Sequence, residues 1–150
     1  MKCIDSYNIT PYHSFVCPDV CQTLVYAGLD AKPVFWWSIQ GKVAELVTYW
    51  FDKDNYYAGA AREIHEVNKP IIIPAFEMAD MEHILPGAYL LNRNGLDGYE
   101  LSMEGMWQVQ SVKGFRMPDV FATMVLQLIQ LRMLDMKKVV QTVNSYAGSK

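Results

Sequence analysis

The sequence predicts an α+β domain in which an antiparallel β-sheet is packed by an N-terminal helix and a C-terminal helix. Three observations predict this class: an aromatic hairpin over residues 33–51, a three-stranded meander over 88–112, and apolar stripes with helical spacing in 18–29 and 118–134. The length of 150 residues suits one core, and neither a linker nor an internal repeat is visible. We therefore assign residues 1–150 to a single globular domain.

The first helix is predicted by signals at both of its ends. Pro18 suits the first helical position, and Asp19 complements the positive end of the helix dipole. The apolar residues between the ends share one face: Val20, Cys21, Leu24 and Val25. The run Ala27-Gly28-Leu29 predicts a Schellman ending, with Gly28 as the left-handed residue and Leu29 folding back on Leu24.

Residues 33–40 and 43–51 predict a β-hairpin, and eight of the 23 residues in 35–57 are aromatic. A two-residue loop, either Gln40-Gly41 or Gly41-Lys42, decides which side chains share a face. One face is predicted to be core: Phe35, Trp37, Ile39, Ala44, Leu46, Thr48 and Trp50.

The opposite face of the hairpin is the candidate contact surface. It carries large rings and valines with one serine and one acid: Val34, Trp36, Ser38, Val43, Glu45, Val47, Tyr49 and Phe51. The proposed binding residues are Trp36, Tyr49, Phe51, Val47 and Glu45. Alternatively, a helix or the N-terminal segment covers these rings, since most large aromatic side chains are structural. Residues 6–16 are either such an arm or a flexible leader.

The middle of the chain predicts shorter elements. Residues 52–55 read as a turn, and 56–68 as a short helix or an ordered loop, because Gly59 interrupts a weak helical period. Residues 71–73 form an extended segment that Pro74 stops. A short helix is expected over 76–85, before Pro86-Gly87.

The meander is predicted from strands at 88–92, 98–103 and 106–112. If the loop between the last two strands has an odd number of residues, such as Glu104-Gly105-Met106, then Trp107 and Val109 face the core together with Leu101. The last helix opens at Pro118 and carries an apolar stripe: Phe121, Met124, Val125, Leu128 and Leu131. It either breaks near Asp135, giving a second helix over 136–144, or continues as one helix.

Composition disfavours several functional classes. The net charge of −3 and the lack of a basic cluster larger than Lys137-Lys138 argue against nucleic acid as the main partner. The uncharged stretches are too short to span a bilayer and no signal sequence is visible, so we expect a soluble cytoplasmic protein without a membrane partner. Three cysteines, an odd count, predict reduced thiols, and no ligand set accompanies Cys17 and Cys21, so no metal is expected.

Four segments carry a resemblance to a known group. They are the helix end Ala27-Gly28-Leu29, the strand Val34-Phe35-Trp36-Trp37, the segment that begins with Ile73-Pro74-Ala75 and ends with Ile84-Leu85-Pro86, and the terminal helix over residues 122–134. In these segments the chain resembles small uncharacterised proteins of Bacteroidetes genomes and their phages. The resemblance implies a phage or mobile-element origin within a bacterial host cell, and it implies no catalytic residue.

One group of residues is a candidate for catalysis. Asp80 and His83 are three residues apart on the predicted short helix, with Glu77 one turn earlier, so a carboxylate could orient the imidazole. A solvated helix face explains the same pattern. No glycine-rich phosphate loop precedes a helix, and no cofactor is expected.

Two functions follow. The first is a non-enzymatic phage or mobile-element accessory protein that binds a partner through the Trp36, Tyr49 and Phe51 face. The partner is either a second copy of the chain, which would give a homo-oligomer, or a host or phage protein. The second is a small hydrolase or ligand-binding enzyme with His83, Asp80 and Glu77 beside a pocket. We expect the first, because no motif supports catalysis.

Overall fold

A computed structural model describes residues 7–48, 71–93, 95 and 98–148, and for residues 145–148 it describes the backbone. Within these residues the chain forms four helices and two three-stranded antiparallel sheets, which confirms the α+β class. The helices are α1 (Pro18–Tyr26), α2 (Met78–Ile84), α3 (Met117–Gln130) and α4 (Met136–Gly148). The strands are β1 (Phe35–Gln40), β2 (Val43–Thr48), β3 (Ile71–Pro74), β4 (Tyr89–Arg93), β5 (Tyr99–Met103) and β6 (Val112–Gly114), and a 3₁₀ turn spans Thr10–Tyr12.

Helix α1 ends as its sequence predicts. The amide of Gly28, at φ +119°, donates to the carbonyl of Val25, and the amide of Leu29 donates to the carbonyl of Leu24 at 3.0 Å. These two bonds define a Schellman motif. Leu24 and Leu29 are both fully buried, so the motif also fixes where the chain turns toward β1.

The first sheet has the strand order β2-β1-β3. Gln40 pairs with Val43, so the hairpin loop is Gly41-Lys42, with Gly41 at φ +58° as a primed turn requires. The predicted core face is confirmed at five residues: Trp37, Ile39 and Ala44 are buried, and Phe35 and Leu46 pack against the core. Thr48, at the end of β2, was predicted on this face but is exposed, and Trp50 lies outside the described residues. The pairing of β3 with β1 was not predicted, because an apolar run in the sequence does not determine which strand it pairs with.

The N-terminal segment lies as an arm on the core side of this sheet. The rings of Tyr12 and Phe15 make edge contacts with Trp37, at centroid distances of 5.4 and 6.3 Å. The carbonyl of Val16 accepts hydrogen bonds from Trp37 Nε1 at 3.0 Å and from Cys21 Sγ at 3.4 Å. From Tyr7 onward the segment thus packs as an arm, but it does not cover the Trp36 face as the arm alternative required, because its contacts are with Trp37 on the opposite, core face.

The second sheet has the strand order β4-β5-β6, and its third strand differs from the prediction. The strand expected at 106–112 is instead a loop followed by β6, with Leu101 paired to Val112. Trp107, expected in the core, is 93% exposed, whereas Val109 is buried as expected. The amide of Val109 bonds to the carbonyl of Met106 at 3.0 Å, and this turn breaks the alternation on which the prediction depended.

The C-terminal region breaks near Asp135 into α3 and α4, which settles the alternative that the sequence left open. Helix α3 ends in a second Schellman motif, in which the amide of Met133 donates to the carbonyl of Leu128 and Arg132 takes the left-handed position at φ +58°. Asp135 Oδ1 then accepts the amide of Lys137 at the start of α4. Leu131 was predicted in the apolar stripe but is 45% exposed.

One hydrophobic core joins these elements, with both sheets and all four helices contributing side chains. Its largest fully buried members include Trp37, Phe76, Phe121, Leu101 and Leu128. Helix α3 contacts α1, α2, β5 and β6, and α1 contacts β3, so the two helices connect the two sheets.

The cysteines correct one expectation. Cys17 is disulfide-bonded, so the prediction of reduced thiols only was wrong: an odd count is compatible with one bond beside one free thiol. Cys21 is the free thiol of the described residues, and burial raises its pKa from 9.0 to about 12. The Cys21 thiol is therefore neutral and unreactive in the folded state.

Candidate functional site

The predicted contact face is partly buried. Trp36 and Val47 share a face as predicted and are opposite each other on β1 and β2, but only 7% and 9% of their surfaces are exposed. Glu45 is exposed on the same face, and Tyr49 and Phe51 lie outside the described residues. The indole nitrogen of Trp36 donates to the carbonyl of Pro33 at 2.9 Å. Among the described residues, this face thus presents Val43 and Glu45 rather than large rings to solvent.

The three candidate catalytic residues all lie at α2, where their contacts are those of a helix. Glu77 and Asp80 form a capping box, in which the amide of Glu77 donates to Asp80 Oδ2 at 3.1 Å. Asp80 is buried and His83 is exposed. His83 Nδ1 lies 2.6 Å from the carbonyl oxygen of Ala79, one turn earlier on the helix. The two acids therefore stabilise the start of α2.

A different aromatic residue is the most exposed large apolar side chain in the described part of the chain. Trp107 lies between Met106 and Val109 in the loop from β5 to β6, and 93% of its surface is exposed. Met106 packs against the core and Val109 is buried within it, so both ends of this turn are anchored. The indole therefore projects from a backbone that the core holds in place.

Two hydrogen bonds also hold Gln110, the residue that directly follows the turn. The amide of Gln110 donates to Gln127 Oε1 at 2.8 Å, and Gln127 Nε2 donates to the carbonyl of Gln110 at 2.9 Å. Gln127 lies on α3, the central helix of the core. The loop that carries Trp107 is thus bonded to α3 through both backbone groups of one residue.

A cleft of about 450 Å³ opens elsewhere, where the 3₁₀ turn meets the starts of α2 and α3. Its described lining combines apolar residues with polar ones, among them His13, Ser14 and Arg116. His13 and Ser14 are exposed, whereas the side chain of Arg116 is only 12% exposed. The cleft is therefore a surface depression with one semi-buried cation in its wall.

Arg116 holds the walls of this cleft together. Its Nη1 lies 2.7 Å from Asp119 Oδ1, and its Nη2 donates to the carbonyls of Tyr12 at 3.1 Å and Phe15 at 2.8 Å. The same Asp119 oxygen accepts the amide of Cys17 at 2.8 Å. The guanidinium thus ties the N-terminal arm to the first turn of α3.

Comparison with known proteins adds no residue to these sites. No family model, no curated protein and no solved structure matches the chain. The sites therefore rest on the geometry of the described residues.

Among residues 7–48, 71–93, 95 and 98–148, no group of three or more His, Cys, Asp or Glu side chains could hold a metal ion. None of the helices described there has the length and hydropathy that crossing a bilayer requires.

Sequence reasoning missed both Trp107 and the cleft. The alternation of the predicted strand assigned Trp107 to the core, although Gly105 and the neighbouring polar Gln108 are also typical of a turn. The cleft combines residues from the N-terminal arm, α2, β5 and the start of α3, and no sequence pattern links segments so far apart.

Proposed function

We propose that this protein is a non-enzymatic interaction protein that binds a protein partner through Trp107. The observation that carries the proposal is the 93% exposure of an indole on an anchored turn. Tryptophan is enriched among interface residues that dominate binding energy, because it buries a large apolar area on association. Isolated exposed apolar side chains are common, so the rigid presentation of this one is what distinguishes it.

Anchoring matters because association normally loses the conformational freedom of the contact residues. The turn at Met106–Val109 and the double hydrogen bond between Gln110 and Gln127 restrict the backbone before any partner arrives. A pre-ordered contact residue loses less entropy on binding and so contributes more net affinity. This supports Trp107, rather than the largely buried Trp36, as the binding residue.

The partner is a second copy of this chain or a host or phage protein. The phage or mobile-element origin belongs to the proposal and is supported by the resemblance of four segments to Bacteroidetes and phage proteins. The expected location in the host cytoplasm is not part of the proposal, because disulfides such as the one at Cys17 are rare there. Catalysis by Glu77, Asp80 and His83 is not proposed, since the two acids form the capping box of α2.

The test compares Trp107→Ala with Tyr26→Ala, a matched loss of an exposed ring, since Tyr26 is 80% exposed. Native mass spectrometry reports self-association, and affinity capture from the host lysate reports other partners. We expect Trp107→Ala to weaken the association of wild type by about 30-fold or more, and Tyr26→Ala to leave it unchanged. Equal behaviour of the two variants, or a wild type that neither self-associates nor retains a partner, would refute the proposal.

A further inference from the structure

We propose that the cleft beside Arg116 binds a small molecule with an apolar body and a single carboxylate. The site does not depend on Trp107 or on the proposed protein partner. Its volume of about 450 Å³ falls within the range of small-molecule sites in proteins. Such sites typically combine an apolar lining with a few polar groups that orient the ligand, and this cleft has that composition.

The apolar residues of the described lining suit the apolar body of the ligand. Ile9 is fully buried, Met78 and Met117 are half-buried, and Phe115 is 68% exposed. Methionine side chains adapt to ligands of different shape, because they are unbranched and polarizable. A ligand that covers Phe115 would remove one of the larger exposed apolar surfaces of the described residues from water.

The carboxylate is argued from the polar groups. The described lining contains the hydroxyls of Thr10, Ser14 and Tyr99, the imidazole of His13 and the guanidinium of Arg116, and it contains no Asp or Glu. Hydroxyl, imidazole and guanidinium groups all donate hydrogen bonds to a carboxylate. Asp119 compensates the charge of Arg116 from just outside the described lining, so the preference for an acid comes from the hydroxyls, from His13 and from the absence of Asp and Glu among the described lining residues.

The backbone adds to the same polarity. Met117 and Pro118 begin α3, a helix of 14 residues, and both line the cleft. The start of a helix carries a partial positive charge that favours an anion nearby. Arg116 keeps this helix start beside the N-terminal arm through its bonds to Tyr12 and Phe15, so the cleft is formed before a ligand binds.

The probes are octanoate and hydrocinnamate, each compared with the ammonium compound of matching apolar body, octylammonium and phenylpropylammonium. Amide chemical-shift titrations on the full chain report both affinity and position. We expect at least one carboxylate to bind about tenfold more tightly than its ammonium counterpart, with shifts centred on Ile9, Met78 and Met117.

Two variants then separate the cleft from non-specific binding. His13→Glu places an acid at an exposed lining position and should weaken carboxylate binding about tenfold, while Lys42→Glu, an equally acidic exposed change at the β1–β2 turn, should leave it unchanged. Met78→Trp should weaken binding of every probe by filling the cleft. Failure of both carboxylates to bind, equal binding of acids and amines, or shifts centred elsewhere would overturn the proposal.

Discussion

Three tryptophans of the described residues have three different environments. Trp37 is fully buried and Trp36 is 7% exposed, and each indole nitrogen donates to a backbone carbonyl, of Val16 and Pro33 respectively. Burying an indole N–H without such an acceptor would destabilise the fold by about 1–3 kcal/mol. Trp107 is solvated over almost its whole surface. Whether an aromatic residue is core or contact surface thus depends on its neighbours in space.

Arg132 provides a prediction at a single position. It holds φ at +58° in the left-handed position that ends α3, and its side chain is exposed. The left-handed conformation costs a residue with a Cβ atom about 1 kcal/mol or more of stability. Replacement by glycine removes this strain, but the greater freedom of glycine in the unfolded chain offsets part of the gain. We expect Arg132→Gly to raise the free energy of unfolding by about 0.5–1 kcal/mol, measured by urea denaturation.

Gly28 gives the matched control for Arg132. It occupies the same position at the end of α1, with φ +119°. Gly28→Ala should lower the urea midpoint, since it introduces the strain that Arg132→Gly removes. An unchanged or lower midpoint for Arg132→Gly would show that the left-handed conformation of Arg132 is not a source of strain.

At the level of elements, the sequence predicted what local signals determine. Pro18 and Gly28 mark the ends of α1, Gly41 marks the hairpin turn, and Asp135 marks the start of α4. The errors concern contacts between distant segments. The pairing of β3 with β1, and the replacement of an expected strand by the Trp107 turn, both depend on tertiary packing that a periodic pattern does not contain.

The ion pair of Arg116 and Asp119 is predicted to hold the N-terminal arm against α3. Both side chains are mostly buried, at 12% and 19% exposure, and three backbone groups of the arm bond to them. Removing one partner leaves a buried charge without compensation. We expect Arg116→Met to lower the free energy of unfolding by about 3 kcal/mol and to accelerate amide exchange in residues 12–17.

Lys113 is the control for this ion pair. Its Nζ lies 3.9 Å from Glu100 Oε2, and its side chain is 67% exposed. Lys113→Met should change the free energy of unfolding by less than about 0.5 kcal/mol, because solvent screens an exposed pair. Similar losses in both variants, or exchange in the arm that Arg116→Met does not accelerate, would mean that the buried pair does not anchor the arm.

At the level of the whole molecule, the candidate sites could be predicted less well than the fold. The hairpin residues Trp36 and Val47 were correctly predicted to share a face, yet their burial could not be read from the hairpin alone. The cleft needed the relative positions of four segments. Secondary structure follows from neighbours in sequence, whereas a site follows from the packing of elements that are remote in sequence.

The same packing predicts that the described part of the chain unfolds as one cooperative unit. Core side chains come from both sheets, and α3 connects β5 and β6 to α1, which contacts β3. Damage to one sheet should therefore lower the stability of the other. Leu101→Ala, at a fully buried position of β5, should cost about 3 kcal/mol, whereas Leu90→Ala, 50% exposed on β4, should cost much less.

Residue-resolved NMR during urea denaturation distinguishes one domain from two. In wild type, the native signals of Ile39 in β1 and Leu101 in β5 should disappear with the same midpoint. In Leu101→Ala, the signal of Ile39 should move to the lower midpoint together with the remaining signals of β5. If β5 shifted alone while Ile39 kept the wild-type midpoint, the two sheets would be separate cooperative units, because a shared core cannot lose a fully buried leucine in one sheet and leave the other unaffected.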